Sequence, residues 1–107
     1  MAEMTLESVG VDQMDAARLS SNGRAAKTLH SGSRLRQTLI ALTAGTRLGE
    51  HQSPGDATIL CLKGSVTLHA GDLAVTVPEG MLVDVPPQRH DLVADVDSLV
   101  ILTVAIS

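Results

Sequence analysis

The sequence predicts an all-β domain, an antiparallel sandwich or barrel, on three observations. From about residue 25 onward, runs of four to nine residues rich in Val, Leu, Ile and Thr are separated by Gly, Pro, Ser or Asp. Several of these runs alternate: Val66 and Leu68 share one face of SVTLH, and Leu73, Val75 and Val77 one face of LAVTV. The chain has 107 residues, 44% of them apolar, enough for one domain with a single modest core.

Residues 1–27 read as an N-terminal arm and 28–107 as the barrel. Within the arm, residues 1–10 carry no strong signal. VDQMDAARLS suits a short helix near residues 12–19, with Asp12 as N-cap and Met14 and Ala17 on one face. SSNGR ends it with an Asn-Gly turn signal. The strand runs follow as KTLH, RLRQTLIAL, RLGEH, ATILCLKG, SVTLH, LAVTVPEG, MLVDVPP, RHDLVAD and SLVILTVAI. TILCL and SLVILTVAI are apolar on both faces, which a strand wetted on one side does not require. A second sheet or a second subunit must cover the outer face. A homodimer is the expectation, with residues 28–42 and 99–106 at the contact.

Composition narrows the function classes. The absence of Phe, Tyr and Trp removes the usual stacking platforms for sugars and exposed bases. Residues 1–15 hold four acids, residues 16–47 six bases and no acid, and residues 48–107 eight acids against Lys63 and Arg89. The basic third suits nucleic acid, but the acidic, aromatic-free remainder argues against it. The basic segment is better placed along an acidic barrel, in the same chain or in a partner subunit; a plain solvated face is the other reading. The lone Cys61 lies in an apolar run and reads as a buried structural thiol. MAEMTLESVG lacks the basic-then-apolar pattern of a signal peptide, and no run approaches membrane-spanning length. A cytoplasmic protein with neither nucleic-acid nor membrane partners is expected.

One constellation carries more. Gly45-x5-His51-x-Ser53-x3-Ala57-x6-Gly64, followed by Gly80-x5-Pro86-x3-His90, resembles the two motifs of the RmlC-like cupin superfamily, with the short spacing of a small single-domain cupin. The resemblance covers roughly residues 35–105. It implies a double-stranded β-helix, that is, a cupin or jelly-roll barrel, here with a short N-terminal helix or arm, and usually a dimer. Metal-binding relatives supply two histidines and a glutamate from the first motif and a histidine from the second. His51 and His90 fall on two of those positions, whereas Ser53 and Ala57 replace the other two. PPQRH also lacks a glycine after its prolines, and Ala94 stands at the usual asparagine.

Two imidazoles make a sparse shell for a divalent ion such as Zn, Ni, Fe or Mn. Asp56 becomes a third ligand if the SPGD turn folds inward; Glu50 and Gln52, beside His51, point out of the barrel if His51 points in. Gln37 shares a strand face with Leu35 and Leu39 and is expected in the interior, as core or as ligand contact. The candidate pocket is therefore His51, Ser53, His90 and Gln37, and the candidate metal set His51, His90 and Asp56. His30 and His69 read as surface residues, Arg36 and Arg89 as solvated arginines able to meet an anion. Ser53 near His51 lacks an orienting acid, so acyl transfer is not expected. Two functions remain open: a dimeric barrel that binds a small molecule, and a metal-dependent enzyme of the dioxygenase or isomerase kind that the resemblance implies. A protein-interaction module is a third.

Overall fold

A computed structural model describes residues 3–51 and 55–106, without the side chains of Glu50 and His51. One helix, α1 (Leu6–Leu19), precedes nine strands: β1 (Arg24–Ser31), β2 (Leu35–Leu42), β3 (Arg47–His51), β4 (Ala57–Lys63), β5 (Ser65–Ala70), β6 (Leu73–Pro78), β7 (Leu82–Asp84), β8 (His90–Ala94) and β9 (Ser98–Ala105). Each of the nine β-type runs has become one strand. The pairing is antiparallel throughout, in a five-stranded sheet of order β1-β2-β9-β4-β7 and a four-stranded sheet of order β3-β8-β5-β6. The two sheets face each other, so the expected double-stranded β-helix is the observed fold.

The core between the sheets follows period 2. On β4, Ala57, Ile59 and Cys61 point inward; on β5, Val66 and Leu68; on β9, Val100, with Leu102 and Val104 partly buried beside it. The outer face of the four-stranded sheet is polar, as the alternation of SVTLH requires. There Thr67 Oγ1 donates to Asp95 at 3.0 Å, and Asp91 sits between His69 and Arg47.

The outer face of the five-stranded sheet differs. Leu39, Ala41, Leu99 and Ile101 form a second apolar cluster with Met14 and Ala17 of α1. The apolar second faces of β2 and β9 are thus covered at these positions by the chain's own helix.

The helix also begins earlier than expected. It starts at Leu6, with Thr5 rather than Asp12 at the N-cap and no side-chain cap bond. Val9 and Gly10 extend its packed face over the sheet. A Cβ at Gly10 would lie 2.8 Å from Leu99 Cδ1, so the glycine that weakens helix propensity permits close docking. Tertiary burial outweighs local propensity here. The expected charge complementarity is present within the chain for two residues of the basic segment: Arg18 meets Asp97 at 3.1 Å and Arg47 meets Asp91 at 3.6 Å.

Candidate functional site

β3 and β8 bring the two motif histidines together: His51 and His90 are register partners across this antiparallel pair. A register shift between Leu48 and His51 sets them level, three residues on β3 against two on β8. His90 is 3% exposed and lines a small cavity with Ile40, Leu48, Ile59, Leu92, Val100 and Leu102. An imidazole therefore interrupts an otherwise aliphatic wall.

Its orientation is fixed chemically. His90 Nδ1 lies 3.0 Å from the Gln88 carbonyl oxygen, which can only accept. Nδ1 therefore carries the proton, and in the neutral ring Nε2 carries the lone pair. A backbone carbonyl that selects the tautomer in this way is how ligating histidines are commonly held.

The other candidates are dispersed. Ala57 joins the core, so Asp56 beside it lies on the opposite side of the strand, and it is exposed. Its backbone oxygen accepts from Ala105 N at 2.8 Å, which holds this end of β4 against β9. Ser53 and Gln52 lie outside the described residues. Gln37 keeps the expected company of Leu35 and Leu39 but faces away from the barrel: Nε2 donates to Thr103 Oγ1 at 3.3 Å on the helix-covered side. Its inclusion in the pocket is corrected. β2 is apolar on both faces near its end, so alternation alone does not say which set points inward.

The strand face inside the barrel runs through Ile40 and Leu42, and by parity toward the start of β2 through Thr38 and Arg36. Arg36, one register row beyond the cavity-lining residues, is exposed, as the sequence reading has it. His30 is exposed, as expected. His69 is half-exposed and bound through Nδ1 to Asp91 at 3.0 Å, outside the barrel.

Cys61 is fully buried, and desolvation raises its thiol pKa, with Glu79 adding to the rise and the Lys63 carbonyl contact opposing it. It is a core thiol, not a nucleophile.

The donor set of the described residues falls short of a metal centre. Among the described residues no group of three or more His, Cys, Asp or Glu is placed to hold an ion. The motif positions keep two histidines, His90 and its backbone register partner His51, while the carboxylate position is a core alanine and Asp56 is exposed. Stable transition-metal sites use three or four such ligands, so these residues do not fit a tightly held ion. The cavity beside His90 is about 20 Å³, the space of a single water. Anything larger must sit at the open end.

No family model and no curated protein matches the sequence. Many solved structures resemble the fold. A conserved protein of unknown function from Streptococcus pyogenes is 27% identical, with 82% of this chain and 78% of that chain covered and a TM-score of 0.74. A cupin superfamily protein from Desulfitobacterium hafniense is 19% identical, with 85% and 87% covered and a TM-score of 0.75. An RmlC-like cupin from Desulfovibrio desulfuricans is 23% identical, with 77% and 81% covered and a TM-score of 0.70. With its two facing antiparallel sheets, its motif glycines and its register-paired histidines, the chain has the cupin fold that these structures share.

Proposed function

We propose that this protein binds a small molecule at the open end of its barrel, where His51 and His90 meet a polar group of the ligand and Arg36 stands at the rim. The observation that carries the reading is His90, buried and oriented by a carbonyl in a wall that aliphatic side chains would fill at lower desolvation cost. In the tautomer that the Gln88 carbonyl selects, the second ring nitrogen is an acceptor, which suits a ligand hydroxyl or amine; Arg36 would suit an anionic group. The small cavity admits only the ligand's tip. A buried free thiol is compatible with a reducing, cytoplasmic setting.

The locked tautomer also favours a second reading, a weakly held divalent ion serving an enzyme of the dioxygenase or isomerase kind. One titration series separates them: Zn2+ or Ni2+, and a panel of small hydroxy compounds and carboxylates, at pH 5.5 and 7.5, wild type against His90→Ala. Metal ligation competes with protons for the ring nitrogens and so weakens at the lower pH. Carboxylate binding does not share that competition. The expected result is saturable binding of an organic ligand that His90→Ala weakens tenfold or more, with weak or no metal binding. Tight metal binding at pH 7.5, lost in His90→Ala, would transfer the assignment to the metal reading. Binding that survives His90→Ala would place the site elsewhere.

A further inference from the structure

The groove beside α1, about 540 Å³ between Val11 and Met14 of the helix and Leu62 and Leu99 of the sheet, is lined by three acids and two bases and selects no partner by charge. The edge of the five-stranded sheet is more selective. β1 ends that sheet, and Ala25 and Leu29 on its outer face pack under α1, which leaves the strand's edge uncovered by the helix. On the barrel side, Ala26 and Thr28 are register partners of Ile40 and Thr38, yet both are exposed while Ile40 is buried. The strand therefore overhangs the four-stranded sheet. The phase of its ladder is set by Thr43 N, which donates to the Gly23 carbonyl at 2.9 Å and makes Gly23 and Thr43 a bonded pair. Bonded pairs recur every second residue, at Ala25 with Ala41 and Lys27 with Leu39. Between them Arg24 and Ala26 turn their N–H and C=O groups outward, where no strand of the described residues lies. Asn22 Oδ1 accepts from the Arg24 amide at 3.3 Å, and the Ala26 groups face out beyond it.

The same hairpin is strongly basic. Residues 24–42 carry Arg24, Lys27, Arg34 and Arg36, all exposed, and no acid. We propose that the edge of β1 takes an extended acidic segment of a partner protein as an added strand. The outward main-chain groups of Arg24 and Ala26 supply the pairing, and the cations around them select carboxylates on the incoming strand. Ala26 and Thr28 present small side chains on the overhanging face, which leaves room for larger ones beside them. The register shift after Thr28 ends the regular edge, so the added strand is short. A second copy of β1 fits less well, because pairing the edge with itself brings the two sets of cations together. Such cations commonly guard an edge strand against its own kind, and an acidic strand meets no such repulsion.

Fluorescence anisotropy of labelled octapeptides titrated with the full chain in low salt tests the proposal. The probes are an alternating Glu/Val peptide, its Lys/Val counterpart, and the Glu/Val peptide with its four central amides N-methylated. The wild type is expected to bind the Glu/Val peptide saturably and the Lys/Val peptide at least tenfold more weakly. N-methylation of the probe, Ala26→Pro and Lys27→Glu should each weaken Glu/Val binding at least tenfold. The Ala26 amide points away from β2, so proline there is an edge substitution and thermal melting should be unchanged. The N-methylated probe reads the same pairing on the unmutated protein. No binding at 1 mM overturns the proposal. So does equal affinity for the N-methylated peptide, which would reduce the contact to charge attraction. A wild-type dimer in sedimentation that Ala26→Pro dissociates would assign the edge to a second copy instead.

Discussion

Gly64 illustrates how one residue serves the fold. It adopts φ +86, a region L side chains rarely enter, and a Cβ there would meet Ser98 Oγ and the Asp97 carbonyl oxygen. Ser98 is itself fully buried: its hydroxyl accepts from Ser65 N at 3.1 Å, and its one proton goes to the Val96 carbonyl at 2.7 Å, with the Ser65 carbonyl at 3.0 Å the alternative acceptor. The glycine lets the β4–β5 turn approach the β8–β9 turn closely enough for that network. Gly64→Ala is therefore expected to cost about 3 kcal/mol or more, combining positive-φ strain with overpacking against backbone. Urea unfolding checks it: a midpoint within error of wild type would show that the contact relaxes freely. Gly45 and Gly80, the other motif glycines, share the positive φ, at 83 and 85, but open space surrounds them, so the same change there should cost less.

At the scale of elements, α1 is the piece whose role changed most between sequence and structure. Met14 and Ala17 anchor it to Leu39, Ala41, Leu99 and Ile101, so Met14→Ala should destabilise by about 2 kcal/mol through lost burial and an incompletely collapsed cavity. Val11→Ala on the groove side should be close to neutral. Thermal melts of both variants test this; equal effects would mean the helix is only loosely docked. Asp97 ties the same helix to two turns. Its Oδ1 accepts from Ala44 N at 2.9 Å and its Oδ2 from Arg18 at 3.1 Å, and these bonds lower its carboxyl pKa below the ordinary aspartate range. A depressed folded-state pKa contributes stability above the unfolded value, near 3.9, and loses it as pH falls through the folded value. Asp97→Asn should thus be less stable than wild type at pH 7, and the gap should narrow below about pH 4. A gap independent of pH between 7 and 3 would show that the carboxylate charge contributes nothing.

For the molecule as a whole, the two sheets divide the work. The four-stranded sheet has one wet face, where Asp91 and Asp95 gather polar partners, and contributes His90 to the interior. The five-stranded sheet is apolar on both faces and is covered by the barrel core on one side and partly by α1 on the other. The cavity beside His90 and the groove beside α1 lie on different faces of the five-stranded sheet.

The sequence alone determined the all-β class, all nine strands and their turns, because period-2 alternation and Gly/Pro/Asp punctuation are local properties. The family resemblance also placed His51 and His90 at corresponding motif positions, and the β3–β8 register pairs them. Only the tertiary structure decided what covers the second faces of β2 and β9. A doubly apolar strand states that something must pack on it without saying whether a helix, a sheet or another chain does so. The same ambiguity misplaced Gln37: alternation groups it correctly with Leu35 and Leu39, but which group faces inward depends on where the opposite sheet lies. The start of α1 was likewise decided by docking, because Gly10 lowers helix propensity locally and yet is the residue that allows the helix to meet Leu99. Periodicity is written along the chain; the identity of the packing partner is a non-local quantity, set when all the elements compete for the same apolar surface.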